Sequence, residues 1–127
     1  MGIFTVHLHS TVIKSWSNER PTMAQMYLMK YTSSDGQQNN FRLIDKIQGH
    51  WRDIGTLMKI ESSVLNDFES HCRGNLKEQC RKVLEAWIAQ GSRNYPVTWS
   101  GMSTVLKDVL LGEVSCQLEE VLGKHEK

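Results

Sequence analysis

From Phe41 onward, apolar residues recur three and four positions apart, and short polar or glycine-bearing breaks divide the chain into segments. That period lays one apolar stripe along an α-helix, so each segment predicts a helix with one buried face. Phe41, Ile44 and Ile47 mark a first helix; after a break at Gly49, Trp51, Ile54, Gly55 and Met58 mark a second. Leu65 and Phe68 predict a short third helix opened by Ser62 or Ser63. Asn75-Leu76-Lys77-Glu78 has the form of a capping box, in which Asn and Glu satisfy orphaned backbone donors. It launches the longest stripe, Leu76, Cys80, Val83, Leu84, Trp87 and Ile88, which Gly91 ends. Pro96 and Thr98 reopen the chain into Trp99, Met102, Leu106, Val109 and Leu110. Gly112 is expected to break that fifth helix, and Val114, Leu118, Val121 and Leu122 form the sixth.

Six stripes within about eighty residues, joined by short turns, bury best in one antiparallel bundle. The expected core is Trp51, Ile54, Leu65, Phe68, Cys80, Val83, Leu84, Trp87, Trp99 and Leu106.

The first forty residues follow a different pattern. Phe4, Val6, Leu8 and Val12 alternate with Thr5, His7, His9 and Thr11, which predicts a short strand. Thr22 could cap a helix over Met23 to Tyr31, although the same stretch also alternates as a strand would. Thr32 to Asn40, rich in Ser, Gln, Asn and Gly, is expected to be a flexible connector. The organisation expected is an extension over residues 1–39, a bundle over 40–123 and a tail over 124–127.

Composition narrows the function. The chain has 127 residues, 39% hydrophobic and 23% charged, which is the make-up of one ordinary globular domain. A formal net charge of +1 lacks the basic excess on which phosphate binding depends. A helix-turn-helix nucleic-acid module using Arg81-Lys82 is thus an unfavoured alternative. A passive structural domain of a larger receptor or scaffold is another. Three widely spaced cysteines, with no secretory leader and no apolar run of bilayer length, favour a reducing compartment, the cytosol. No membrane partner is expected. His71-Cys72 with Cys80 lacks metal-ligand spacing, and His7-x-His9 offers two ligands where a stable site needs more. No nucleophile elbow, phosphate-cradling loop or His-Glu-x-x-His helix is present. Neither catalysis nor a cofactor is expected.

Trp51-Arg52-Asp53-Ile54-Gly55, Leu57 and Ile60, then Cys80, Val83, Leu84 and Trp87, then Thr98-Trp99 and Leu106, together resemble a death domain. This is a family of six-helix antiparallel bundles within the death-fold superfamily, and the resemblance covers roughly residues 40–123. It implies an adaptor-like module in apoptotic or inflammatory signalling. Such a module assembles homotypically with other death-domain proteins, itself included. The surface positions it brings forward are Arg52 and Asp53 on the second helix, and Lys77, Arg81 and Lys82 on the fourth. Glu113, Glu119 and Glu120 on the sixth complete the helical positions. A family contact joins the loop between the fourth and fifth helices to the loop before the sixth. Here it would place Arg93 and Tyr95 of one copy against Glu113 of another.

Overall fold

The computed structural model describes residues 18–33 and 35–125. The strand expected at Phe4 to Val12, with His7 and His9, lies outside them. Among the described residues, seven α-helices and two strands follow in chain order: α1 Met23–Tyr27, β1 Met29–Thr32, β2 Gln38–Phe41, α2 Leu43–Ile47, α3 Trp51–Leu57, α4 Ser62–His71, α5 Leu76–Gln90, α6 Trp99–Asp108 and α7 Gly112–His125. A 3-10 turn over Gln48–His50 joins α2 to α3. Helices α2 to α7 correspond to the six expected from the apolar period, except that Phe41, expected to open the first, is the last residue of β2.

The stretch read two ways, Met23 to Tyr31, is both. Thr22 Oγ1 accepts from the Gln25 amide while Gln25 Oε1 accepts from the Thr22 amide, at 3.2 and 3.0 Å. This reciprocal cap starts α1, which stops at Tyr27; Leu28 is extended and β1 begins at Met29. The flexible connector expected from Thr32 to Asn40 is instead largely hairpin. Strands β1 and β2 pair antiparallel, Met29 opposite Phe41 and Thr32 opposite Gln38. The turn between them closes with Gly36 at a φ of 86°, a left-handed conformation open to glycine. Composition named a loop correctly only for the turn, because Gln and Asn at exposed strand positions satisfy their backbone through the partner strand.

Residues 18–41 pack onto the bundle. The Trp99 amide donates to the Glu19 carbonyl at 2.9 Å, and Arg20 Nη2 donates to the Ile88 carbonyl at 2.9 Å. Met26, Met29 and Phe41 are buried in the same cluster as the bundle's apolar stripes. Trp51, Trp87 and Trp99 share that interior, each at most 5% exposed. Phe68, expected in the core, is only half-buried against its edge.

Helix ends show where sequence cues and geometry part. Asn75 Oδ1 accepts from the Glu78 amide at 3.1 Å, but the Glu78 carboxylate turns to Arg81, so only half of the capping box forms. The cap of α4 is Glu61, and Ser62 is already helical. Gly91 closes α5 at a φ of 73°. The expected break at Gly112 is displaced: α6 ends at Asp108, and Gly112 opens α7. Reversal occurs at Leu110, with a φ of 65°. The Leu111 amide reaches back to the Leu106 carbonyl and the Leu110 amide to the Lys107 carbonyl, at 2.7 and 3.2 Å. Lys59 ends α3 in the same way. Both positions usually hold glycine, so a glycine-based reading misses them.

Candidate interaction surface

Helices α3 and α4 hold Arg52 between two kinds of partner. Its guanidinium lies 5.1 Å from the centre of the Trp51 ring, and Nη2 reaches Asn66 Oδ1 at 3.2 Å and Glu69 Oε2 at 3.4 Å. An aromatic face attracts a cation, so the tryptophan fixes the arginine at the surface while its other face stays in the core. Asp53, the next residue, is exposed and makes no hydrogen bond or ion pair among the described residues.

The outer side of α5 is more heavily paired than its sequence suggests. Lys77 Nζ meets Asp45 Oδ1 of α2 at 2.8 Å. Arg81 forks both oxygens of Glu78, at 2.9 and 2.8 Å, and its third nitrogen meets Glu85 at 2.5 Å. Those hydrogen bonds hold the Glu78 carboxyl below its ordinary range and raise the guanidinium. Lys82 stays part-exposed beside this cluster. Exposed pairs of this kind are screened by solvent, so they order the face more than they stabilise the fold.

The loop from Gly91 to Thr98 divides two expected site residues. Arg93 is exposed. Tyr95 is not: it is 6% exposed, and its hydroxyl donates to Asp108 Oδ2 at 2.6 Å. That bond and burial raise the phenol's pKa. Tyr95 is therefore a structural anchor, not an open contact, because its ring fills the space between α5 and the end of α6. The aromatic in a polar loop looked like a surface residue only because its distant partner, Asp108, carries no local sequence signal.

On α7, Glu113 is exposed in the first turn. Glu119 is part-exposed, and its carboxylate turns onto α6 in a polar clasp. Its Oε1 accepts from Ser103 Oγ at 2.8 Å and from Lys107 Nζ at 3.4 Å, while Ser103 Oγ lies 2.7 Å from Ser115 Oγ. Ser103 and Ser115 are buried, at 3% and 0% exposure. Sequence reading passed over this pair; the available signal was two serines standing at inward positions of amphipathic helices. Glu120 is exposed beside a hollow that it shares with Tyr31 and Lys46. The candidate positions thus form several separate patches on the bundle, not one site.

Among the described residues, no group of three His, Cys, Asp or Glu side chains could hold a metal ion. His71 Nδ1 lies 2.7 Å from the Asp67 carbonyl of its own helix, away from any partnership with the cysteines. No described helix is long and apolar enough to cross a membrane.

A model of the Death domain family matches residues 39–124, which spans α2 to α7 and the end of the hairpin. The chain belongs to the death-domain family. Comparisons with curated proteins and with solved structures found no match. Death domains are protein–protein interaction modules, and the tryptophan-anchored segments of this one are what fill its core. Met26 and Met29 of this death domain, which precede position 39, nonetheless contribute to its interior.

Proposed function

We propose that this death domain works by homotypic assembly, as a cytoplasmic adaptor or signalling module in apoptotic or inflammatory signal transduction. Its partners are other death-domain proteins, a second copy of itself included. The observation that carries the reading is the family match across the whole bundle. In support, Asp53, Arg93 and Glu113 are exposed with no hydrogen bond or ion pair among the described residues. Opposite charges on different corners of one module suit contacts between unlike faces, and such contacts build assemblies.

Within that reading, Arg93 of one copy meets Glu113 of another, and part-exposed Lys82 is the basic group left on α5, since Arg52, Lys77 and Arg81 are ion-paired within the chain. Each contact is weak, and repeated engagement supplies avidity. Light scattering of the full chain over a concentration and salt series tests the reading. Reversible oligomers that weaken with salt are expected. Arg93→Glu and Glu113→Arg should each weaken them, and the double reversal should restore part of the loss. A chain that neither self-associates nor binds any death-domain protein would sink the reading.

A further inference from the structure

Leu110 is 91% exposed at the corner between α6 and α7. Its φ of 65° is strained for a bulky residue and ordinary for glycine, which would make the same turn at lower cost. Packing within the chain does not account for a leucine whose surface is almost wholly in water. The side chain stands beside a shallow hollow of about 310 Å³ lined by Asp53, Leu57, Asp108 and Val109. Both ionisable groups there are acidic. Asp108 is engaged by the Tyr95 hydroxyl, and Asp53 has no hydrogen-bond or ion-pair partner among the described residues.

Helix α3 links this corner to a second feature. Leu57 ends the helix at the knob, and Trp51 begins it, roughly 9 Å away along the axis. Trp51 lines a groove of about 450 Å³ together with Glu69, Arg73 and Leu76. Its apolar part includes Leu76, which is 49% exposed although it starts an amphipathic helix. Arg52 neutralises Glu69 at 3.4 Å. Arg73 has no hydrogen bond or ion pair among the described residues, which leaves the rim net positive.

We propose that a second copy of this chain seats its Leu110 in the Trp51–Leu76 groove, with Asp53 beside the knob facing Arg73 on the rim. The inference rests on the homotypic reading and names one pair of surfaces for it. Knob and groove are unlike and lie at opposite ends of α3. The contact is therefore heterologous: it leaves one knob and one groove free and grows head to tail. An apolar anchor against Trp51 and Leu76 supplies the affinity, and the acid–base pair sets the orientation.

Sedimentation of the full chain over a concentration series, with two variants, tests this. Leu110→Gly should keep or raise the thermal midpoint while reducing the protein to monomer where the wild type grows. Arg73→Glu should do the same to assembly with its helical circular dichroism unchanged. Mixed one to one, the first variant supplies an intact groove and the second an intact knob, so the mixture should form pairs and stop there. Growth of Leu110→Gly as in the wild type, or a mixture that stays monomeric, overturns the proposal. If the wild type assembles and Leu110→Gly leaves it unaffected, these surfaces alone are lost and homotypic assembly stands. A wild type that is monomeric throughout overturns self-association and this contact together.

Discussion

The indole N–H of Trp87 donates to the backbone carbonyl of Tyr95 at 3.0 Å, inside the core. One side chain thereby closes the loop between α5 and α6 and leaves no buried donor of its own unpaired. Trp99 differs: among the described residues its buried Nε1 has no hydrogen-bond partner. The two rings should therefore respond differently to removal of the nitrogen. Trp87→Phe strands the Tyr95 carbonyl and should cost about 1–3 kcal/mol. Trp99→Phe loses area but no hydrogen bond, so its cost should follow lost burial alone. Urea unfolding of both variants checks this; equal costs with no polar component in Trp87→Phe would contradict it.

Gly101 and Gly55 make a second pair of expectations. A Cβ on Gly101 would stand 2.0 Å from the Pro96 carbonyl oxygen, which is backbone and cannot turn aside. On Gly55 it would meet the end of Leu65 at 2.7 Å. Leu65 is buried, yet a side chain can change rotamer. Gly55→Ala should cost about 1–3 kcal/mol, and Gly101→Ala more than about 3 kcal/mol. Thermal melts that rank them in the opposite order would refute the backbone-clash account.

Met26 lies outside the segment matched by the family, yet it is 0% exposed. Met26→Ala should cost about 2–5 kcal/mol, as core truncations do. A chain starting at residue 39 should be less stable than the full chain for the same reason. Denaturant midpoints of the two measure it, and a shortened chain of equal stability would show that α1 and β1 are passengers.

The bundle was legible because its tryptophans recur on helical stripes, and Trp51, Trp87 and Trp99 are indeed buried together. The hairpin was not. Its polar residues read as a loop, and the pairing of Met29 with Phe41 is a contact across the turn, not a periodic signal. The end of α6 was misread because Leu110 occupies a turn position where glycine is usual. At the surface, residue type alone could not separate Arg93, which is exposed, from Tyr95, which Asp108 draws inward. Stripes are local and carry over short windows. Pairings such as Ser103 with Ser115 join separate helices and leave no local trace.

That serine pair is the basis of another prediction. Ser115 Oγ is bound to Ser103 from α7, and Ser103 hands its own proton to Glu119. Each hydroxyl keeps a second partner when the other is lost, Ser103 through Glu119 and Ser115 through the Ser103 backbone carbonyl at 3.2 Å, so Ser115→Ala and Ser103→Ala should each cost about 0.5–1.5 kcal/mol. The double variant removes both ends at once and should cost less than the sum, by at least about 0.5 kcal/mol. Additive costs would mean that the two hydroxyls do not act as a unit.

Burial pushes the Cys80 thiol up to about 12, from an ordinary 9.0. Cys116 by contrast is exposed, and Cys72 is intermediate. Since the thiolate is the nucleophile, alkylation near pH 8 should modify Cys116 first and reach Cys80 only when the core opens. The sign of the pH effect follows from the same shift. The folded state keeps the proton above pH 9, where the unfolded state begins to release it. Stability from this group is therefore complete below pH 9 and lost as pH rises toward 12, by about 1.4 kcal/mol per pH unit at most. Lysines and tyrosines titrate in the same window, so the quantity to follow is the stability gap between the wild type and Cys80→Ala. That gap should hold steady from pH 7 to 9 and narrow above it. A gap independent of pH up to 11 would mean that the thiol ionises as freely in the folded chain as in the unfolded one.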